Sequence, residues 1–128
     1  MSTWMDRFGS AASLACALHC GLFAFAPAIV AVLGLQSLGN EVVEWGLFSC
    51  ALLFAGMAGA TGYRAHQHRH IALGFVGGAC ALVVARLSEA YELTEYGPVF
   101  AILGGLVLVS AHLANIRACR ACHEDCHP

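Results

Sequence analysis

The sequence predicts an all-α integral membrane protein, a four-helix transmembrane bundle with short loops, and three observations carry that expectation. Hydrophobic residues make up 59% of the 128-residue chain against 11% charged, with a mean hydropathy of +0.73, too little polarity for a water-facing surface. Four apolar stretches, about residues 10–35, 42–63, 71–91 and 96–116, approach or exceed the roughly 20 residues that cross a ~30 Å hydrocarbon core. Trp4, Trp45, Tyr63, Tyr91 and Tyr96 all fall at or beside the ends of those stretches, where amphipathic rings meet the lipid–water boundary.

The first span, 10–35, contains no Asp, Glu, Lys or Arg and holds Pro27. Its Ala24-Phe25-Ala26 triplet resembles a signal-peptide cleavage site, but Pro27 would follow the cut and the apolar run continues to Leu35, so an uncleaved span is expected. The second span, 42–63, is free of charge from Trp45 onward. In the third, the uncharged part ends at Ala85; about 15 residues rise only ~22 Å, so Arg86 must snorkel outward, with Glu89 three residues on as a helical partner. The fourth, 96–116, leads into a tail at 117–128 expected to form a cytosolic Cys/His-rich metal-binding segment after the transmembrane domain 1–116. Gly56-x-x-x-Ala60 and Gly74-x-x-x-Gly78 offer small residues for close helix approach.

Charge orients the bundle. Arg7, Arg64, Arg69, Arg117 and Arg120 flank one side of the spans, while Glu41, Glu44, Arg86, Glu89, Glu92 and Glu95 fall in the other two connections. Both termini are therefore expected in the cytoplasm. A net charge of -2 without lysine excludes a nucleic-acid partner, leaving the lipid bilayer as the expected surroundings.

Seven cysteines in so apolar a chain do not describe a disulfide scaffold. Cys16, His19 and Cys20 share one helical face, and Cys119, Cys122, His123, Cys126 and His127 fall on a second stripe if the fourth helix continues. Two thiols that each lose a proton neutralise a divalent ion, which bare hydrocarbon would exclude, and soft thiolates select Hg, Zn or Cu(I) over Mg or Ca. An empty thiol remains a mild hydrophobe. Cys50 and Cys80 are expected to be packing residues, Cys80 being the better placed as an extra ligand. His66, His68 and His70 either solvate a loop or hold a passing ion, and His112 with Asn115 either orients ligands or joins helices by hydrogen bonds.

The four short-looped spans, the span-one cysteine cluster with a later proline, and the ending HLANIRACRACHEDCH resemble the MerC family of small inner-membrane mercury transporters over nearly the whole chain. The resemblance implies a multi-pass protein of the bacterial inner membrane that takes up Hg(II) through Cys16 and Cys20, with Cys119, Cys122 and Cys126 as cytosolic cysteines. Where mercury-resistance members of the family carry a C-x-x-C-F-P type of pair, this chain has Cys16-x-x-His19-Cys20 and its proline displaced to Pro27. Two sulfurs satisfy Hg(II), whereas a Cys/Cys/His set suits tetrahedral Zn(II) equally.

Transport of a thiophilic cation, most often Hg(II), is thus the leading expectation, with hand-off to the tail and a cytosolic thiol acceptor or metalloprotein as partner. A zinc transporter of the same fold, a membrane-anchored metal sensor or buffer, and a haem-binding redox protein are the alternatives. Cys119-Arg120-Ala121-Cys122-His123 matches the haem-attachment pattern C-x-x-C-H, but that role would need the tail outside the cytosol. No hydrolytic constellation or cofactor loop is present, so the chain is read as a non-enzyme with no catalytic residue and no cofactor beyond the transported ion. Four helices are few to enclose a pathway, and a homodimer is compatible with this reading.

Overall fold

The structure is a computed structural model that describes residues 3–92 and 95–124, with side chains from 4 through 121. The described elements are all helical: α1 (Thr3–Phe25), α2 (Pro27–Val32), a 3-10 turn (Gln36–Leu38), α3 (Glu41–His66), α4 (Arg69–Ala90) and α5 (Gly97–Glu124). Four of them, α1, α3, α4 and α5, are long and apolar enough to cross a membrane. Because they alternate in direction, the start of α1, the α3–α4 connection and the end of α5 share one end of the bundle, called here the terminal end.

The first span departs from the expected 10–35. The helix starts at Thr3 and stops at Phe25, because Pro27 has no N–H with which to continue the ladder and pushes Ala26 out of helical geometry, to φ -133° and ψ 46°. Proline then opens the short α2, where its missing donor costs nothing. Gly34, at φ +67°, turns the chain toward the 3-10 segment. At the next helix, Asn40 Oδ1 accepts the Val43 N–H at 3.0 Å and caps α3, whose first turn carries Glu41 and Glu44. Left-handed Gln67 (φ 53°) closes it, its N–H bonding the Tyr63 carbonyl at 2.9 Å. Helix α5 does not stop at residue 116; it runs on to Glu124, so the first part of the tail extends the fourth span.

Helix α5 packs along both α1 and α4, and α3 closes the bundle against all three. Small residues permit this. A β-carbon on Gly105 would lie 2.9 Å from the Ser13 carbonyl oxygen and one on Gly78 would lie 2.8 Å from Leu108, so α5 meets α1 and α4 nearly backbone to backbone. Gly74 sits on that same α4–α5 seam, whereas a side chain at Gly56 would meet open space, leaving the Gly56/Ala60 pair outside the close contacts. The core is correspondingly alanine-rich, with Ala17, Ala51, Ala55, Ala58, Ala85 and Ala111 buried around Leu82 and Leu108. Larger apolar side chains such as Leu18, Leu53, Leu73 and Leu103 point outward, the arrangement that lipid rather than water rewards.

A thiol cavity and a buried polar network

At the end opposite the termini, α1, α3, α4 and α5 surround a cavity of about 180 Å³. Cys16 and Cys20, one turn apart on α1, both line it, Cys16 almost fully buried and Cys20 partly so. Their side chains open on the same space. Both are unoxidised, in keeping with a helical i, i+4 spacing that is wide for a disulfide.

His19 lines the same cavity but turns toward α3. Its ring lies against Phe23, centroid to centroid 4.6 Å, and its Nε2 stands 4.0 Å from Glu44 Oε1, too far for a hydrogen bond. Consequently, among the described residues no three His, Cys, Asp or Glu side chains converge as a ready-made ligand set. The site is a thiol pair with an imidazole beside it.

Glu44, Arg86 and Glu89 bring charge to the cavity lining. Arg86 Nη1 donates to Glu44 Oε2 at 2.6 Å and to Glu89 Oε2 at 2.9 Å, and its Cζ lies 4.7 Å from the Trp45 ring centroid. The expected partnership of Arg86 with Glu89 is present, and Glu44 from α3 joins it. Two carboxylates against one guanidinium leave the lining with a net negative charge, which raises the local concentration of cations.

The terminal end is built differently. The His68 N–H donates to His66 Nδ1 at 3.0 Å, which leaves the His66 proton on Nε2, 2.8 Å from Asn115 Oδ1. With its oxygen so engaged, Asn115 turns Nδ2 to both carboxylate oxygens of Asp6, at 3.0 and 2.9 Å. His112 Nδ1 donates to Asp6 Oδ1 at 3.0 Å. Four side chains from α1, α3 and α5 are thereby joined, and Asp6, His112 and Asn115 are all buried. A side chain at Gly9 would collide with the His112 ring and one at Gly62 with Asn115, so the glycines make room for the network. Of the two roles expected for His112 and Asn115, the interhelical hydrogen bond is the one observed.

Cys50 and Cys80 are exposed on the outside of the bundle, so neither packs in its core and Cys80 does not join the thiol cavity. Cys80, expected to be the better placed of the two as an extra ligand, lies instead on an exposed face of α4. His66, His68 and His70 adjoin one another at the α3–α4 connection, the first pair tilted with centroids 4.8 Å apart and the second edge-on at 5.5 Å. Cys119 lies on α5 near the terminal end; Cys122 and His123 fall on the same helix with side chains outside the described set, and Cys126 and His127 lie outside the described residues. From Ala101, in the cavity wall, α5 rises ~27 Å to Cys119, so the two cysteine groups occupy opposite ends of the bundle.

Asp6, Ser13 and Glu44 went unnoticed as site residues in the sequence. Asp6 and Ser13 had a signal: Asp6, Gly9, Ser13, Cys16 and Cys20 recur at intervals of three and four, a single polar and small-residue stripe. Glu44 had none, since its approach to Arg86 crosses 42 residues of sequence.

No curated protein and no solved structure matches the chain. The family model described as MerC mercury resistance protein matches residues 6–117. That segment contains the thiol pair, the charged lining and the whole Asp6–His66–His112–Asn115 network, and it ends before Cys119. Four membrane-crossing helices built around such a pair, together with a match over most of its length, establish that the chain belongs to the MerC mercury resistance protein family.

Proposed function

We propose that this protein carries Hg(II) into the cell across the bacterial inner membrane, binding it between Cys16 and Cys20 and passing it to thiols on the cytosolic side. The observation that carries the reading is a pair of thiols lining one cavity with no third ligand converging on them among the described residues. Hg(II) is satisfied by two sulfurs, whereas Zn(II) asks for four ligands and would leave this site half-filled. Binding breaks two S–H bonds, forms two S–Hg bonds and releases two protons. The product is a neutral bis-thiolate, which removes the main barrier to holding a divalent ion within hydrocarbon.

The arginine distribution supports placing the termini in the cytosol, and with them the tail. The cavity then opens on the outer side, where the net negative charge of Glu44, Arg86 and Glu89 gathers cations. Cys119, Cys122 and Cys126, with His123 and His127, receive the ion by ligand exchange, thiolate for thiolate, and surrender it to a cytosolic thiol acceptor. The chain acts as a carrier and catalyses no bond chemistry beyond that exchange.

The test is uptake of labelled Hg(II) by oriented membrane vesicles. Replacement of either cavity thiol, Cys16→Ser or Cys20→Ser, is expected to reduce uptake to the level of vesicles lacking the protein, while Cys80→Ser on the outer surface of the bundle leaves it intact. Undiminished uptake by Cys20→Ser, in protein inserted at normal levels, would falsify the proposal.

A further inference from the structure

The inward stripe of α1 does not end at the thiols. Ser13, fully buried, and Asp6, 6% exposed, continue it toward the terminal end, where Gly9 lies against the His112 ring. His112 itself is completely buried and gives its Nδ1 proton to Asp6. Its Nε2 is therefore the lone-pair side of the ring, and that nitrogen has no hydrogen-bond partner among the described residues. Along α1 toward Cys16, Ser10 Oγ and then Ser13 Oγ are likewise buried and unpartnered. Acceptors held so deep without a donor are costly, and their persistence calls for an occupant.

The charge around the ring points to which occupant. Besides Asp6 from α1, the titratable group tied into the same hydrogen-bond network is His66 of α3, which reaches Asp6 through Asn115. Helix α4 offers only Phe75, edge-on to the ring at 4.8 Å, and α5 adds the neutral Asn115. The buried carboxylate thus has no fixed cation, and a proton on His112 Nε2 would supply one, converting an isolated negative charge into an ion pair. Ionisable groups inside membrane spans commonly serve this purpose.

We propose that Asp6 and His112 form a proton-binding site which takes up one of the two protons displaced when Cys16 and Cys20 bind metal. The inference rests on the thiol reading given above. One S–H proton passes by Ser13, whose hydroxyl can accept on oxygen while donating its own hydrogen, to His112 Nε2; the other leaves past Glu44 and Glu89. The imidazolium then stands beside the Asp6 carboxylate and keeps that proton for as long as the metal stays bound. No electron changes hands.

The experiment uses the full-length chain in lipid nanodiscs, with Cys119, Cys122 and Cys126 replaced by serine so that only the thiols within the membrane-spanning helices respond, and adds HgCl2 in chloride buffer, where the ligands leaving mercury are chloride and consume no proton. Infrared difference spectra follow the S–H stretch, nitrogen-15 spectra follow the His112 ring, and a pH dye counts protons released. Expected are loss of S–H absorption, conversion of His112 to imidazolium and release of about one proton per metal bound, one fewer than the thiols shed. In His112→Gln the S–H loss remains and the count rises to about two. Asp6→Asn gives the same rise and serves if the glutamine variant does not fold. S–H loss with a neutral His112 and two protons released from the unsubstituted pair overturns the proton site while sparing the thiol site. Persistent S–H absorption overturns the thiol reading and this inference with it.

Discussion

The two ends of this bundle hold polar groups inside an apolar chain by opposite means. At the terminal end, Asp6, His66, Asn115 and His112 satisfy one another almost completely, and glycines at 9 and 62 let the helices close over them. At the other end, Cys16 and Cys20 face a cavity, with His19 left short of a hydrogen bond. Saturated hydrogen bonds lock helices together, whereas unsatisfied soft donors in an open volume are suited to a guest. One end is built to hold α1, α3 and α5 in register, with His112 Nε2 left open, and the other to bind a metal.

That contrast can be broken at either end. The largest effect on function is expected at the cavity, where loss of either thiol removes uptake without loosening the helices. The largest effect on stability is expected at the network. Asp6→Ala deprives the His112 Nδ1–H and the Asn115 amide of their acceptor, and buried donors left so cost ~1–3 kcal/mol each, for a net loss of about 2 kcal/mol once the removal of a buried charge is set against it. Unfolding in mixed micelles should show this loss, and a change below about 0.5 kcal/mol would mean that the network does not fasten the bundle. Smaller still is the effect of Arg86→Gln, which doubles the negative charge of the cavity lining. Half-saturation of uptake in chloride-free, low-salt buffer should fall a few-fold, and the gain should shrink as salt screens it. A weaker half-saturation would instead make Arg86 a structural strut for Glu44 and Glu89.

Most of the architecture was legible because the bilayer imposes a one-dimensional rule: apolar length fixes the spans, aromatic rings mark their ends, and helical spacing pairs Arg86 with Glu89. What escaped were features set by rotation and by long-range pairing. Cys16, His19 and Cys20 share a face by spacing, yet a rotamer choice and the arrival of Glu44 from α3 divide the imidazole from the thiols. Cys80 sits on a face of α4 turned away from the cavity. Asp6 looked like an ordinary polar residue ahead of the first span, because its role depends on His112 and Asn115, more than a hundred residues away. Pro27 was visible, but reading hydropathy alone carried the first span through it.

The central claim is that two sulfurs, and nothing else, hold the metal within the membrane. X-ray absorption at the mercury edge, on the chain with its three tail cysteines replaced by serine and loaded with one equivalent of Hg(II), measures this directly. The account predicts a shell of two sulfur neighbours that is lost in Cys16→Ser/Cys20→Ser. A nitrogen neighbour from His19, a shell of three or four ligands, or a spectrum indifferent to those substitutions would contradict it.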